Sequence, residues 1–271
     1  MTLVADVVEP GVLAPGEELA RGYVVVDHLN RGKLLDVYDV WSEERDCRCV
    51  AKAIRPDRLG ERRGRRRLLN EGRLLLDLGH PHIVRGYELI VRPQPILVME
   101  TLPGMTLEYL LREEGPRPAQ FVAVLGRQLC SALSYLHGKG FLHADLKPSN
   151  IVISGIVRVI DLSLARPPGR GHRGAGTRDY LAPEQARGGF ADESADVWGL
   201  GTVLWESATG ERAFRHEELD GYAQLDERAE PVGARCSLPA ALAEAIDACL
   251  EPRPGDRPSI AELAETFDTY A

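Results

Sequence analysis

The sequence His143-Ala144-Asp145-Leu146-Lys147-Pro148-Ser149-Asn150 brings an acid, a cation and an amide together within eight residues. It follows a helix-like run, 121–138, and precedes two short apolar runs, 151–153 and 156–160, which predict a β-hairpin. Polar residues on a loop between two such elements are often functional. The alternative is a polar turn whose Asp145 and Asn150 satisfy only local backbone groups.

Three side chains in and after this loop suit metal–phosphate chemistry. Asp145 stands five residues before Asn150, and a second carboxylate, Asp161, follows the predicted hairpin. Mg²⁺ is bound in proteins through one or two oxygen ligands together with the phosphates of a nucleotide. One acid can orient a nucleophile while the amide and the second acid hold the metal, so these residues indicate phosphoryl transfer.

Composition narrows the function classes. The 271 residues are 44% apolar and 27% charged, and the net charge of −8 argues against nucleic acid or anionic membrane as the main partner. No apolar run reaches the length of a membrane span, and residues 1–18 lack a signal-peptide pattern. The five cysteines are odd in number, and Cys47 and Cys49 have no second pair at zinc-ligand spacing. Reduced cysteines and a cytoplasmic location are therefore expected.

The apolar pattern predicts a chain that changes character near residue 103. Strands are predicted over 23–29, 35–41, 47–54, 83–91 and 95–100, with one helix over 58–78. Later helices are predicted over 107–113, 118–138, 195–210, 239–250 and 259–270. The predicted organisation is a loosely ordered lead-in, 1–21, an N-lobe, 22–102, and a C-lobe, 103–271. Six arginines between Arg58 and Arg67 are interpreted as a solvated helix start rather than a docking patch.

Further motifs flank the loop in a fixed order. They are Cys49-Val50-Ala51-Lys52, Glu71, Leu97-Val98-Met99-Glu100-Thr101-Leu102, Gly176-Thr177-Arg178-Asp179-Tyr180-Leu181-Ala182-Pro183-Glu184, Asp196-Val197-Trp198-Gly199-Leu200-Gly201 and Arg257-Pro258-Ser259. Together they resemble a eukaryotic-type (Hanks-type) protein serine/threonine kinase, most similar to bacterial members, over residues 22–270. The resemblance implies an α+β, bilobal protein-kinase-like fold: a five-stranded antiparallel N-lobe sheet with one helix, a mainly helical C-lobe, and a cleft between them.

The resemblance also implies a nucleotide site for ATP. Lys52 would grip the α- and β-phosphates, and Glu71, 19 residues later, would hold the lysine in place. Residues matching the family's other nucleotide contacts are Gly32, Val37, Val50, Met99, Glu100 and Leu102. The backbone of Glu100 and Leu102 would bind adenine, while Met99 would gate the pocket behind it.

Catalytic roles follow from the same resemblance. Asp145 would accept the proton of the substrate hydroxyl or orient it, and Lys147 would neutralise the transferring phosphoryl group. Asn150 and Asp161 would hold Mg²⁺ or Mn²⁺. Thr177 would pair with Asp145 and Lys147. Two structural contacts are implied as well, an ion pair of Glu184 with Arg257 and a brace from Asp196 to the backbone of the catalytic loop.

Three departures from the family pattern are present. The glycine-rich loop reads Asn30, Gly32 and Leu35 at its three glycine positions, which should stiffen it. The metal motif reads Asp161-Leu162-Ser163, and Leu162 can fill the apolar position. Because Ser163 tolerates positive φ less well than glycine, the motif should flip outward less readily.

The third departure is Ala144, where regulated kinases carry an arginine that clasps an activation-segment phosphate. Residues 165–175 contain no Ser, Thr or Tyr, so phosphate acceptor and clasp are both missing. The hypothesis is an ATP-dependent protein serine/threonine kinase that needs no such phosphate. Alternatives are a pseudokinase acting as a nucleotide-binding scaffold and a small-molecule phosphotransferase. Partners would be protein substrates, with a homodimer through the small lobe as a family possibility.

Overall fold

The computed structural model describes residues 11–215 and 221–271, and it divides the chain into two compact units. The first runs to Gly79 and continues from Val84 to Leu102; the second comprises His80–Ile83 and the chain from Pro103 onward. An antiparallel sheet and one long helix make up the first unit, whereas the second is mainly helical. The predicted α+β class, with one strand-rich and one helical part, is confirmed.

The described residues of the first unit include six strands and one α-helix. They are β1 (Glu18–Ala20), β2 (Tyr23–Arg31), β3 (Leu35–Ser42), β4 (Cys47–Ile54), α1 (Arg62–Asp77), β5 (Gly86–Ile90) and β6 (Ile96–Glu100). Within the sheet the strand order is β1-β2-β3-β4-β6-β5. The predicted count of five strands missed the short edge strand β1. The fourth predicted strand, 83–91, begins later than expected, at Gly86, because Ile83 belongs to the second unit and pairs there with Val159.

The segment before β2 corrects the prediction of a loosely ordered lead-in for residues 11–20; residues 1–10 lie outside the described part. Val12, Leu13 and Leu19 pack against the buried face of the sheet. The N–H of Gly16 donates to the carbonyl of Val25 at 2.8 Å, and Val25 N–H donates to Glu17 at 2.8 Å. An apolar sheet face left open to water would be unfavourable, so this segment covers it.

Strand periodicity separates the two faces of the sheet. On β4, Cys49, Ala51 and Ala53 belong to a buried core, whereas the alternate residues Val50 and Lys52 point to the opposite face. Cross-strand pairing adds further predicted nucleotide-binding residues to that second face. Val37 is opposite Lys52, and Met99 is opposite Val50.

Helix α1 begins four residues after the predicted start, behind a short 3₁₀ turn, Pro56–Arg58. Its first turn holds no acidic residue. Arg62, Arg63 and Arg66 are exposed, as expected for a solvated helix start. The opposite side of α1 buries Leu68 and Leu75.

The second unit contains all five helices predicted for it, with ends that lie within two residues of the predicted ones. Its helices are α2 (Leu107–Glu114), α3 (Ala119–Gly138), α4 (Pro183–Arg187), α5 (Glu193–Thr209), α6 (Ala240–Cys249) and α7 (Ile260–Asp268). Helix α4 was not predicted, because five residues within a Gly- and Pro-rich segment give no helical period. Helix α5 is buried over most of its length.

Short strands organise the loops of the second unit. They are β7 (Met105–Thr106), β8 (Ile151–Ile153), β9 (Val157–Val159), β10 (Gly169–Arg170) and β11 (Phe190–Ala191). Strands β8 and β9 form the predicted hairpin after the catalytic-loop sequence. Strands β10 and β11 pair with each other and tie down the segment after Asp161.

Candidate active site

In the first unit, a short ion pair joins β4 to α1. The Nζ atom of Lys52 lies 2.6 Å from Oε1 of Glu71, and the side chain of Glu71 is fully buried. Burial of a lone carboxylate would be costly, so the pair fixes both the lysine and the helix. The contact predicted between these two residues is present.

The loop between β2 and β3 is held by backbone and side-chain contacts. The N–H of Gly32 donates to the carbonyl of Leu35 at 2.8 Å, and Arg55 N–H donates to Leu34 at 3.1 Å. The guanidinium of Arg55 also donates to the carbonyl of Gly32 at 2.9 Å. These bonds tie the loop to the end of β4. Arg55 was missed from the sequence because it belongs to none of the motifs.

The segment predicted to bind adenine ends strand β6. Met99 is buried, and the N–H of Glu100 donates to the carbonyl of Arg85 at 3.0 Å within the sheet. The carboxylate of Glu100 accepts from Arg85 N–H at 2.8 Å. Because the N–H of Glu100 is already bonded to Arg85, the backbone group of Glu100 that would bind adenine is its carbonyl.

In the second unit, three predicted residues form one hydrogen-bonded cluster. The Nζ atom of Lys147 donates to Oγ1 of Thr177 at 2.6 Å and lies 3.1 Å from Oδ2 of Asp145. The N–H of Thr177 donates to Oδ1 of Asp145 at 2.7 Å. Each carboxylate oxygen retains capacity for a further donor, because an ionised carboxylate can accept about four hydrogen bonds. The contacts expected of Thr177 are confirmed.

The two predicted metal ligands, Asn150 and Asp161, lie at the two ends of the β8–β9 hairpin. Asn150 donates through Nδ2 to the carbonyl of Asp145 at 3.0 Å. Its amide oxygen therefore points away from that carbonyl. Asp161 accepts the N–H of Ser163 at 2.8 Å, and Ile160 N–H donates to the carbonyl of Asn150 at 3.0 Å. One amide and one carboxylate oxygen suit a hard divalent cation that takes its remaining ligands from phosphate and water.

Among the described residues, no cluster of three or more His, Cys, Asp or Glu side chains could hold a metal by itself. In the metal motif, Leu162 is buried, as predicted for the apolar position. Ser163 is not among the described non-glycine residues with positive φ, which are Asp46 and Ala144.

Asp196, near the start of α5, braces the catalytic loop as predicted. Its carboxylate accepts the N–H groups of His143 and Ala144, each at 2.8 Å, and lies 2.8 Å from Nε2 of His137. Burial opposes ionisation of Asp196, but the contact with His137, the nearby histidines and the Ala144 N–H outweigh it and hold the pKa below its ordinary value. Ala144 has φ of +65°, a left-handed conformation that these bonds stabilise.

His143 lies fully buried beside Asp145. Burial lowers the pKa of its imidazole, and Nδ1 accepts the N–H of Asp145 at 3.2 Å. A proton on Nδ1 would remove that acceptor, so the neutral ring fits this position.

The predicted ion pair between Glu184 and Arg257 is confirmed as a buried, bidentate contact. The guanidinium donates to the two carboxylate oxygens at 2.8 and 3.0 Å. It also donates to the carbonyls of Ser194 and Glu251, and it lies over the ring of Trp198 at 5.0 Å. Helix α4 is thereby fixed to the segment before α7.

Gln185 is a contact residue that sequence reasoning missed. Its side-chain amide donates to the carbonyl of Ala144 at 3.0 Å, and its side-chain oxygen accepts the N–H of Ala182 at 3.0 Å. The sequence offers only its place directly after Ala182-Pro183-Glu184 as a signal. Polar contacts from a short helix to a distant loop depend on tertiary structure.

Comparison with known protein families shows the family to which the chain belongs. The protein kinase domain family matches residues 23–267, which is almost the whole chain. The chain belongs to the protein kinase family. Members of this family use ATP with a divalent metal ion, and the oxygen donors described above fit that use. The roles of individual residues in this kinase domain remain predictions.

Three relatives of this kinase domain are bacterial serine/threonine-protein kinases. PkaA of Streptomyces coelicolor is 36% identical over 221 residues, which cover 76% of this chain and 40% of PkaA. PknB of Mycobacterium leprae is 37% identical over 168 residues, which cover 57% of this chain and 27% of PknB. PrkC of Bacillus subtilis is 30% identical over 228 residues, which cover 81% of this chain and 35% of PrkC. These names confirm the predicted resemblance to bacterial Hanks-type kinases.

The aligned regions span less than half the length of these relatives. Within the described residues of this kinase domain, each helix is either too short or too polar to cross a lipid bilayer.

Proposed function

We propose that the chain is an active protein serine/threonine kinase that transfers the γ-phosphoryl group of ATP to Ser and Thr hydroxyls of protein substrates. The family match and the bacterial serine/threonine kinases among its relatives support this function. The observation that carries it is the cluster of Asp145, Lys147 and Thr177, in which a carboxylate and an ammonium group lie 3.1 Å apart.

In this proposal Asp145 orients the substrate hydroxyl and accepts its proton. The bonds from Thr177 and Lys147 hold the carboxylate in one orientation, and a positioned base contributes about 10²- to 10⁴-fold to a proton-transfer step. The ammonium group of Lys147 neutralises charge that develops on the phosphoryl oxygens. Phosphoryl transfer depends mainly on such positioning and charge neutralisation.

Asn150 and Asp161 would hold the metal ion, for which we propose Mg²⁺, with Mn²⁺ as a substitute. The bound metal would neutralise phosphate charge and align the nucleotide. In the first unit, Lys52, fixed by Glu71, would hold the α- and β-phosphates. The nucleotide would further contact Gly32, Val37, Val50, Met99, Glu100 and Leu102.

We further propose that no phosphate on the activation segment is needed. Residues 165–175 have no hydroxyl to receive one, and Ala144 has no cationic group to bind one. The segment is instead tied by its backbone. Leu142 and Arg166 exchange hydrogen bonds of 2.7 and 3.1 Å, and β10 pairs with β11.

The domain division proposed from the sequence, 22–102 and 103–271 after a lead-in, is retained for this function. We propose protein substrates, a cytoplasmic location and no role for nucleic acid, consistent with the net charge of −8. Homodimerisation through the small lobe stays a prediction that sedimentation at several protein concentrations tests.

The test is transfer of radiolabel from ATP with Mg²⁺ to a generic basic protein, followed by phosphoamino-acid analysis. Label on Ser and Thr is expected, and Asp145→Asn should lower the rate by about 10²- to 10⁴-fold. The matched control is Asp268→Asn, which changes an exposed aspartate on α7 and should leave the rate unchanged.

Two outcomes would contradict the proposal. The same background rate for wild type and Asp145→Asn would favour a pseudokinase, for which the incomplete glycine-rich loop is the supporting observation. Turnover of small hydroxyl compounds without label on any protein would favour a small-molecule phosphotransferase.

A further inference from the structure

The peptide group between Ala144 and Asp145 is hydrogen-bonded on both sides. Its carbonyl oxygen, on Ala144, accepts from Nε2 of Gln185 at 3.0 Å. Its N–H, on Asp145, donates to Nδ1 of His143 at 3.2 Å. The orientation of this group fixes the backbone from which the Asp145 side chain extends, so contacts to it bear directly on the proposed catalytic carboxylate.

Gln185 connects this peptide group to two other places in the second unit. Its side-chain oxygen accepts the N–H of Ala182 at 3.0 Å. Its backbone carbonyl accepts the N–H of Gly174, in the activation segment, at 3.2 Å. Gln185 is 8% exposed, so water competes little for these bonds.

We propose that Gln185 is a positioning residue that holds the catalytic loop to the activation segment, a phosphate-independent clasp. This deepens the regulatory part of the proposed function and rests on it. Ala144, at the position where regulated kinases carry an arginine, has no charged side chain that could bind a segment phosphate. The neutral side-chain amide of Gln185 instead reaches from α4 to the catalytic loop, and it bonds backbone groups, the carbonyl of Ala144 and the N–H of Ala182.

The chemistry of the site requires an amide. One atom must donate to the Ala144 carbonyl while another accepts from Ala182 N–H, and a glutamine side chain supplies both. Methionine has similar length but neither function. A glutamate would accept from Ala182 when ionised, but its second oxygen would then face the Ala144 carbonyl; when protonated, its O–H could donate there instead.

The difference between a protonated and an ionised glutamate at position 185 gives a test by pH dependence, which general damage to the fold would not produce. The rate of phosphoryl transfer is measured for wild type, Gln185→Glu and Gln185→Met from about pH 5.5 to about pH 8.5, each divided by the wild-type rate at the same pH. Gln185→Met should lose at least ~10-fold in kcat at every pH. Gln185→Glu should approach wild type at low pH and fall away as pH rises. Gln120→Glu, an exposed glutamine on α3, is the matched control and should follow wild type.

A second measurement does not depend on activity. Trypsin cleavage within the activation segment, after Arg170, Arg173 and Arg178, is followed in proteins that also carry Asp145→Asn. Gln185→Met should raise the cleavage rate several-fold over its parent, because the segment loses its tie to the loop.

The results separate the clasp from the proposed function. Unchanged kcat in both variants, a Gln185→Glu ratio that is flat with pH, or unchanged cleavage would overturn the clasp, whether or not the wild type is active. An inactive wild type with faster cleavage in Gln185→Met would overturn the kinase function and leave the clasp standing.

Discussion

Arg257 and Glu184 form a buried ion pair in which two nitrogen atoms meet two oxygen atoms at 2.8 and 3.0 Å. The side chain of Arg257 is fully buried, and that of Glu184 is 10% exposed. Removing one partner from such a pair leaves an uncompensated charge in a region that water does not reach.

Glu184→Ala should therefore lower the free energy of unfolding by about 3–5 kcal/mol, measured by urea denaturation. The matched control is Asp268→Ala, which breaks an exposed pair with Arg127 and should cost less than about 1 kcal/mol. Equal losses in the two variants would contradict a structural role for the buried pair.

The ion pair between Lys52 and Glu71 should matter for nucleotide use more than for stability. Glu71→Gln replaces the ion pair of 2.6 Å with, at most, a hydrogen bond from the Lys52 ammonium to an uncharged amide oxygen. The value of kcat/KM for ATP should fall by about 10- to 100-fold, which corresponds to loss of a hydrogen bond between charged groups. Glu61→Gln, which changes an exposed partner of Arg58 ahead of α1, is the control and should stay within twofold of wild type. A similar fall in both variants would contradict the assigned role.

The contact between Arg55 and the carbonyl of Gly32 should slow nucleotide release by tying the loop. Arg55→Met removes that bond and should raise the dissociation rate of a fluorescent ATP analogue by about 3- to 10-fold, as expected for one hydrogen bond. Asp57→Asn is the control, because it alters the other partner of Arg55 and leaves the bond to Gly32 in place. Unchanged release from Arg55→Met would show that the loop does not depend on this tie.

His143 predicts a loss of stability on mild acidification. Burial lowers the pKa of His143 in the folded protein, so between that value and about 6.5 the unfolded chain binds the extra proton. Stability should rise with pH through this window and be lost as pH falls below about 6.5, by at most about 1.4 kcal/mol per pH unit for this group.

His80, whose pKa is also lowered by burial, adds a second contribution of the same sign. Urea denaturation of wild type, His143→Phe and His80→Gln at a series of pH values separates the two. Each variant should show a shallower dependence than wild type. An unchanged dependence in His143→Phe would contradict the neutral, buried imidazole.

Motifs with fixed spacing could be predicted from the sequence, and so could the elements that carry them. The Lys52–Glu71 pair, the Glu184–Arg257 pair and the brace from Asp196 each join residues whose identity already implied a contact. Long helices such as α3 and α5 were predicted within two residues because their apolar pattern extends over several turns.

What escaped prediction depends on tertiary contacts that leave no local pattern. Residues 11–20 lack periodicity and carry Gly11, Pro15 and Gly16, yet apolar side chains among them cover a sheet face formed by residues far along the chain. The left-handed conformation of Ala144 is set by Asp196, more than fifty residues away. Gln185 and Arg55 act through backbone carbonyl groups, which no residue type in the sequence identifies.

This kinase domain is proposed to be active without a phosphate on its activation segment. The most direct measurement compares the initial rate of transfer to a basic protein before and after complete phosphatase treatment, with intact mass confirming the unmodified 29.8 kDa chain. Equal rates are predicted for the two preparations, with Asp145→Asn lower by about 10²-fold or more. Activity that disappears with the phosphate, and returns only when a residue of the activation segment is phosphorylated again, would contradict it.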